Sequence, residues 1–73
     1  MSEAASNGDL SPAALYVRYV LERQGPRRFD EVVAETELPE RTVSRALSRL
    51  RADDDVVSWP RLNDARERVF ATR

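Results

Sequence analysis

The stretch that decides the fold is residues 39–50, PERTVSRALSRL. Its apolar side chains recur at the i, i+3, i+4 and i+7 spacing that lines one face of an α-helix. They are Val43, Ala46, Leu47 and Leu50. The nearly opposite face carries guanidinium and hydroxyl groups, from Arg41, Arg45 and Ser48, with Ser44 and Arg49 on its flanks. The stretch therefore predicts a helix that packs on a core and presents hydrogen-bond donors either to a partner or only to water.

The composition excludes most kinds of catalysis. A chain of 73 residues is enough for one domain, and a domain of this size buries too little surface to enclose a deep substrate cavity. The absence of cysteine and histidine excludes disulfides, Cys/His zinc sites, thiol nucleophiles and histidine bases. No glycine-rich phosphate loop and no nucleophile at a recognised motif spacing is present. The sequence therefore predicts neither an enzyme nor a cofactor.

The charge is distributed unevenly along the chain. The net charge is −1, but residues 1–40 carry four arginines against eight acidic residues, a net charge of −4. Residues 41–73 carry eight arginines against five acidic residues, a net charge of +3. Local charge rather than the total decides whether a surface attracts phosphate, so the second half is the predicted anion-binding half. All basic residues are arginine, which suggests a GC-rich genome or a salt-loving, haloarchaeal host.

No segment of the sequence predicts membrane insertion or export. No apolar run approaches the ~20 residues that a membrane helix needs. The N-terminus lacks the basic region and apolar stretch of a signal peptide. The sequence therefore predicts a cytoplasmic protein without membrane contact.

Clear capping signals bound the first predicted helix. Residues 1–10 are small and polar without apolar periodicity, which indicates a disordered tail. Ser11 can cap free N–H groups and Pro12 fits the first helical position. Gly25 ends the helix, which should run to about Gln24. The predicted core stripe comprises Ala13, Tyr16, Val17, Val20 and Leu21.

A short second helix is predicted between the first helix and residues 39–50. The preceding residues 27–29, RRF, form either an extended connector or a small edge strand. Asp30 is the predicted N-cap of a helix over residues 31–37, and Glu31 in its first turn suits the helix dipole. Leu38-Pro39 then forms a tight turn, because proline disfavours the α conformation at the residue before it. The third helix should end near residue 52.

The C-terminal part predicts a loop and a β-hairpin. Residues 53–55, three aspartates, suggest either a metal site or a solvated loop with one aspartate in a left-handed conformation. The loop is favoured, since no further ligand lies at a suitable spacing. Val56 to Trp59 is β-branched and aromatic, with Pro60 ending or bordering the strand. Residues 66–72 form the second strand, with a turn over 61–65.

Helix, connector, helix, turn, helix and hairpin is the order of a winged helix-turn-helix. The predicted fold class is therefore mainly α with a small β-hairpin (α+β), as one domain over residues 11–73. The stretches LPERTVSRALSRLRADDDVVSW and NDARERVFAT resemble the helix-turn-helix and wing of MarR-like and ArsR-like transcription regulators. The resemblance covers roughly Leu15 to Thr72. It departs at Asp54-Asp55, where those families usually have Gly-Leu or Gly-Lys.

The resemblance implies a small transcription regulator that binds double-stranded DNA with sequence specificity. Residues 39–51 would enter the major groove, and a wing over 57–71 would lie on the backbone or in the minor groove. The implied base contacts are Glu40, Arg41, Thr42, Ser44 and Arg45. Arginine pairs with phosphate in bidentate fashion and so suits contacts with the DNA backbone. The residues expected to make such contacts are Ser48, Arg49, Arg61, Arg66 and Arg68, and also Arg27 and Arg28. The alternative is a winged-helix protein-interaction module that does not bind DNA.

A homodimer is also expected, because regulators that read two half-sites act in pairs. MarR-like proteins usually dimerise through further helices at the ends of the domain, which are absent from this sequence. A dimer is therefore expected to use the first helix, the wing or the N-terminal tail. Leu15 and Tyr19 lie one turn apart on a side of that helix away from its core stripe. They are either scattered exposed apolar residues or a self-association surface. With DNA as the partner, the expected location is the cytoplasm in association with the nucleoid.

Overall fold

The computed structural model describes residues 10–61 and 64–73, apart from the side chains of residues 61 and 64–67. The helices are α1 (Pro12–Gln24), α2 (Phe29–Thr36) and α3 (Glu40–Ala52), and the strands are β1 (Arg27–Arg28), β2 (Val56–Arg61) and β3 (Asp64–Thr72). The strands form one antiparallel sheet in the order β1-β3-β2. Helices α2 and α3 with the turn between them, followed by the hairpin, make the winged helix-turn-helix that the sequence predicts.

The limits of α1 agree with the sequence prediction, but its buried face differs. The Ser11 side chain accepts a hydrogen bond from the Ala14 N–H at 3.1 Å. Gly25 closes the helix with a φ of 82°, and its N–H donates to the Leu21 carbonyl at 2.9 Å. The prediction that Ala13 and Tyr16 belong to the core stripe is wrong. Tyr16 is 43 % exposed, and the buried residues of the helix are Ala14 together with the predicted Val17, Val20 and Leu21.

Leu10 packs with the buried face of α1, just before the helix begins. This residue is 7 % exposed and belongs to the same apolar cluster as Ala14, Val17 and Leu21. The apolar cluster therefore continues to the residue before the Ser11 cap. The sequence places Leu10 in the disordered tail, so for this residue the predicted boundary is wrong and the packed domain includes it. Residues 1–9, the rest of that predicted tail, lie outside the described residues.

The connector before α2 is an edge strand, one of the two interpretations that the sequence allows. Arg27 pairs with Phe70 and Arg28 with Val69 across an antiparallel ladder. The prediction that Asp30 is the N-cap of this helix is wrong, because α2 already begins at Phe29. The Glu31 carboxylate reaches back and accepts a hydrogen bond from the Arg28 backbone N–H at 2.8 Å, so a free N–H is satisfied earlier in the chain than predicted.

The turn into α3 is stabilised by a buried hydroxyl. Thr36 is 5 % exposed; its Oγ1 donates to the Val32 carbonyl at 2.8 Å and accepts from the Leu38 N–H at 3.3 Å. Glu37 follows with a φ of 58°, the left-handed conformation that ends many helices. Pro39 then precedes α3, and its carbonyl accepts from the Val43 N–H at 3.0 Å. The turn and the start of the third helix therefore lie where the sequence predicts them.

Helix α3 packs on the core through the predicted stripe. Val43 and Leu50 are 0 % exposed, and Ala46 and Leu47 are 4 % and 2 % exposed. These residues join a cluster that also includes Val32 from α2, Val56 from β2 and Phe70 from β3. Because all four positions are buried, the rotation of α3 about its own axis is fixed by packing.

The hairpin is longer than the sequence predicts. Pro60 does not end β2, which continues to Arg61, and β3 begins at Asp64 rather than at residue 66. The ladder shifts register between Trp59, opposite Val69, and Arg61, opposite Asp64. Proline, which has no N–H for the ladder, is tolerated at such an irregularity. The centre of the predicted turn, residues 62 and 63, lies outside the described residues.

A candidate nucleic-acid interface on α3

The outer face of α3 presents most of the residues that the sequence assigns to base contacts. Burial of the opposite stripe directs this face away from the core. Thr42 is half-buried, whereas the other four predicted base-contacting residues are exposed, namely Glu40, Arg41, Ser44 and Arg45. A packed helix with exposed polar groups positions those groups more rigidly than a loop would.

Arg41 and Arg45 carry charge that α3 does not neutralise. They lie one turn apart in the N-terminal half of the helix. Among residues 10–61 and 64–73, no carboxylate forms an ion pair with either guanidinium. A guanidinium can bind guanine O6 and N7 together, or two phosphate oxygens. These two side chains are therefore chemically suited to DNA contact.

The C-terminal half of α3 is different, because its arginines meet acidic residues or the wing. The Arg49 Nε donates to Asp53 Oδ2 at 2.9 Å, with both side chains about two-fifths exposed. Ser48 is exposed and lines a cleft between α3 and β2. Arg51 lines the same cleft, opposite Ser58. The sequence prediction omitted Arg51, although Ser44, Ser48 and Arg51 follow the i, i+4 and i+7 spacing of one helix flank.

The three consecutive aspartates each pair with an arginine from a different part of the chain. Besides the Asp53 pair with Arg49, Asp55 lies 3.5 Å from Arg18 of α1 and Asp54 lies 3.7 Å from Arg73. Asp54 has a φ of 63°, so one aspartate does adopt the left-handed conformation. Within the described residues, no group of three or more side chains is arranged to bind a metal ion. The segment is a loop in which each carboxylate lies within ion-pair distance of a guanidinium group.

The other arginines assigned to the DNA backbone are only partly described. The side chains of Arg61 and Arg66 lie outside the described part, although their backbones belong to β2 and β3. Arg68 of β3 is half-buried. Arg27 donates from Nη1 to the Pro26 carbonyl at 2.8 Å and from Nη2 to Gln24 Oε1 at 3.2 Å.

Arg28 is engaged within the domain. Its Nε lies 3.6 Å from Glu31 Oε1 and 3.8 Å from Asp30 Oδ1. The backbone N–H of Arg28 lowers the pKa of Glu31 by hydrogen bonding to its carboxylate, and the Arg28 side chain adds to this effect. A phosphate contact from Arg28 would therefore compete with the ion pairs at the start of α2.

A second exposed surface lies on α1 and is apolar. Leu15, Tyr16 and Tyr19 are 37 %, 43 % and 54 % exposed. We call these three residues the α1 patch. The Arg23 guanidinium lies 5.7 Å from the centre of the Tyr19 ring, within cation–π range. Tyr16, which the sequence assigns to the core stripe, belongs to this patch instead. The wing also exposes Val57 and Trp59, at 37 % and 43 %.

Comparison with solved structures identifies the architecture. BpsR from Bordetella bronchiseptica, described for the regulation of its DNA binding by 6-hydroxynicotinic acid, is 24 % identical with a TM-score of 0.82, over 92 % of this chain and 48 % of that chain. The transcriptional regulator Tm0710 from Thermotoga maritima is 21 % identical with a TM-score of 0.80, over 97 % and 50 %. NMB1585, a MarR family regulator from Neisseria meningitidis, is 22 % identical with a TM-score of 0.74, over 97 % and 50 %.

These likenesses establish the winged-helix fold that MarR-type regulators share. The chain spans about half the length of the solved structures it matches. No family model and no curated protein sequence matches it. The organisms named are bacteria, so the neighbours give no support to a haloarchaeal host. None of the helices in the described part of the chain is long and apolar enough to cross a membrane.

Proposed function

We propose that this chain is the DNA-binding module of a transcription regulator and binds double-stranded DNA with sequence specificity. The observation that carries the proposal is the outer face of α3, where Arg41 and Arg45 are exposed without a carboxylate partner among the described residues. The structural neighbours support it, since Tm0710 is described as a transcriptional regulator, NMB1585 as a MarR family regulator and BpsR by the regulation of its DNA binding. No enzymatic step forms part of the proposal.

In the proposed complex, α3 lies in the major groove with its N-terminal half nearest the bases. Arg41 and Arg45 contact base edges, assisted by Glu40, Thr42 and Ser44. Ser48, Arg49, Arg61, Arg66 and Arg68 contact the phosphate backbone, which positions the helix but does not read sequence. Binding at the chromosome implies a cytoplasmic, nucleoid-associated location.

The direct test is the affinity for random duplex DNA, measured by fluorescence anisotropy across a series of salt concentrations. Each phosphate neutralised by an arginine releases counterions and contributes about −0.9 to the slope of log affinity against log salt. We expect measurable binding at low salt with a slope corresponding to several phosphates. Undetectable binding at low salt would contradict the proposal. It would favour a protein-interaction module, an alternative that the exposed apolar side chains of Val57 and Trp59 support.

We also propose that the domain forms a homodimer through the α1 patch. Three apolar side chains on one helix surface support this, because contiguous exposed apolar area commonly marks an interaction site. The double substitution Leu15→Ser with Tyr19→Ser should reduce the weight-average mass measured by sedimentation equilibrium. Ala34→Ser, at an exposed position of α2, is the control. An unchanged mass in the double variant would exclude this contact.

A further inference from the structure

The Arg49–Asp53 ion pair has a consequence for DNA affinity that rests on the proposed function. Arg49 lies on the exposed side of α3 and is one of the predicted phosphate contacts. Its Nε is already bound to Asp53 Oδ2 at 2.9 Å. A carboxylate and a phosphate present similar oxygen acceptors to a guanidinium. Asp53 therefore occupies, within the protein, part of the donor set that a DNA phosphate would use.

The position of Asp53 is unfavourable for ordinary helix stability. It is the C-terminal cap of α3, where the helix dipole disfavours a negative charge. The pair with Arg49, four residues earlier, offsets this cost. Both side chains are about two-fifths exposed, so the pair is weak and can exchange with an external anion. A strongly buried pair could not exchange in this way.

The neighbouring aspartates allow the specific contact of Asp53 to be separated from the negative charge that all three residues share. Asp54 pairs with Arg73 and Asp55 with Arg18, and neither of those arginines lies on α3. Asp53 thus differs from its neighbours in contacting an arginine of the candidate interface. All three carboxylates oppose DNA through space, but Asp53 also competes for a specific donor.

We infer that Asp53 is an affinity-setting residue, an internal phosphate competitor that weakens the Arg49 contact with the DNA backbone. Because a phosphate contact carries no sequence information, Asp53 lowers the affinity for all sequences by the same factor. Recognition then depends more on Arg41 and Arg45, whose guanidinium groups have no such competitor among the described residues. The Arg49–Asp53 ion pair thus lowers the affinity for random DNA without changing the ratio of affinities between sequences.

The test compares Asp53→Asn with Asp54→Asn in the full chain. Both substitutions remove one negative charge from the same loop. Asparagine tolerates the left-handed conformation of residue 54, and the residue 53 backbone N–H can still donate to the Arg49 carbonyl. At low salt, Asp53→Asn should raise affinity about two- to fivefold more than Asp54→Asn does, the range expected for releasing one exposed ion pair. The increase should be the same for random and preferred duplexes.

The Arg49→Ala background decides whether the effect passes through Arg49. If Asp53 acts by competition, the advantage of Asp53→Asn over Asp54→Asn should disappear there, as in a double-mutant cycle. An advantage that persists in that background, or equal effects of the two asparagine variants, would overturn the inference. If the unsubstituted chain binds duplex DNA and Asp53→Asn leaves affinity unchanged, only this inference fails. If the unsubstituted chain binds no DNA, the proposed function fails as well.

Discussion

Helices α1 and α3 have the same length, 13 residues each, and each buries four residues against the same core, but their outer faces differ. The outer face of α1 exposes Leu15, Tyr16 and Tyr19, whereas that of α3 exposes arginine and hydroxyl groups. Packing constrains only the inner stripe of each helix. The outward chemistry is therefore the part that distinguishes the apolar surface of α1 from the basic, hydroxyl-bearing surface of α3.

The largest expected effect is on the free energy of unfolding, and it distinguishes a leucine on an inner helix face from a leucine on an outer face. Leu47 on the inner face of α3 is 2 % exposed, and Leu15 on the outer face of α1 is 37 % exposed. Leu47→Ala should lower the free energy of unfolding by about 2–5 kcal/mol through lost burial and a cavity. Leu15→Ala, the matched control, should change it by less than about 1 kcal/mol. Urea denaturation followed by circular dichroism measures both, and similar losses would show that the two positions are not differently buried.

The next largest expected effect is on the preference for one DNA sequence over another, which should depend on the outer face of α3 and not on that of α1. Arg45→Ala on α3 should reduce the preference for a selected duplex over a random one by about 1–3 kcal/mol, the value of one bidentate base contact. Arg23→Ala on α1 removes the same charge far along the chain from α3 and should leave that preference unchanged. Competition binding with the two duplexes provides the measurement. Equal losses from both substitutions would mean that discrimination does not depend on the α3 face.

A wing substitution sharpens the distinction between specifying and positioning contacts. Arg66→Ala should weaken binding to every sequence alike and should make the salt slope shallower by about 0.9, the contribution of one phosphate. The ratio of affinities for selected and random duplexes should stay constant. A change in that ratio would instead assign a base-reading role to Arg66.

The smallest effect concerns the cap of α2, the helix that leads into α3. The Arg28 backbone hydrogen bond lowers the pKa of Glu31 in the folded chain. A lowered folded-state pKa contributes stability above the unfolded value and loses it as the pH falls through the folded value. The difference in Tm between the wild type and Glu31→Gln should therefore be constant at neutral pH and shrink below about pH 4.3, the ordinary glutamate value. A difference that grows on acidification would contradict this assignment.

Local chemistry accounts for the features that could be predicted from the sequence. The Ser11 cap and Gly25 terminator act within a few residues of themselves, so the limits of α1 follow from those residues alone. The α3 stripe repeats with an unambiguous helical period, which identifies its buried and exposed faces. The positions of the candidate DNA-contacting residues on α3 follow from the same period. For this reason the helical period alone is enough to assign Arg41 and Arg45 to the exposed face.

The features that the sequence left open or missed depend on residues distant in the sequence. Arg27 and Arg28 form a strand only because Phe70 and Val69 lie beside them, and two residues carry too little pattern to signal a strand. Tyr16 is exposed and Leu10 is packed in the core, the reverse of what the sequence predicts for these two residues. The three aspartates suggested a loop or a metal site, but not three arginine partners, since Arg18 lies 37 residues from Asp55.

The sequence by itself determined the three helices, the turn before α3 and the orientation of α3, because caps, proline and apolar periodicity act over one or two helical turns. Only the tertiary structure decided that β1 completes the sheet, that Tyr16 joins the α1 patch and that Asp55 binds Arg18. Each of these contacts joins residues that are distant in the chain and become neighbours only once the core has formed. The pairing of Asp53 with Arg49 lies between the two cases, since its helical spacing permits the contact and the observed geometry establishes it.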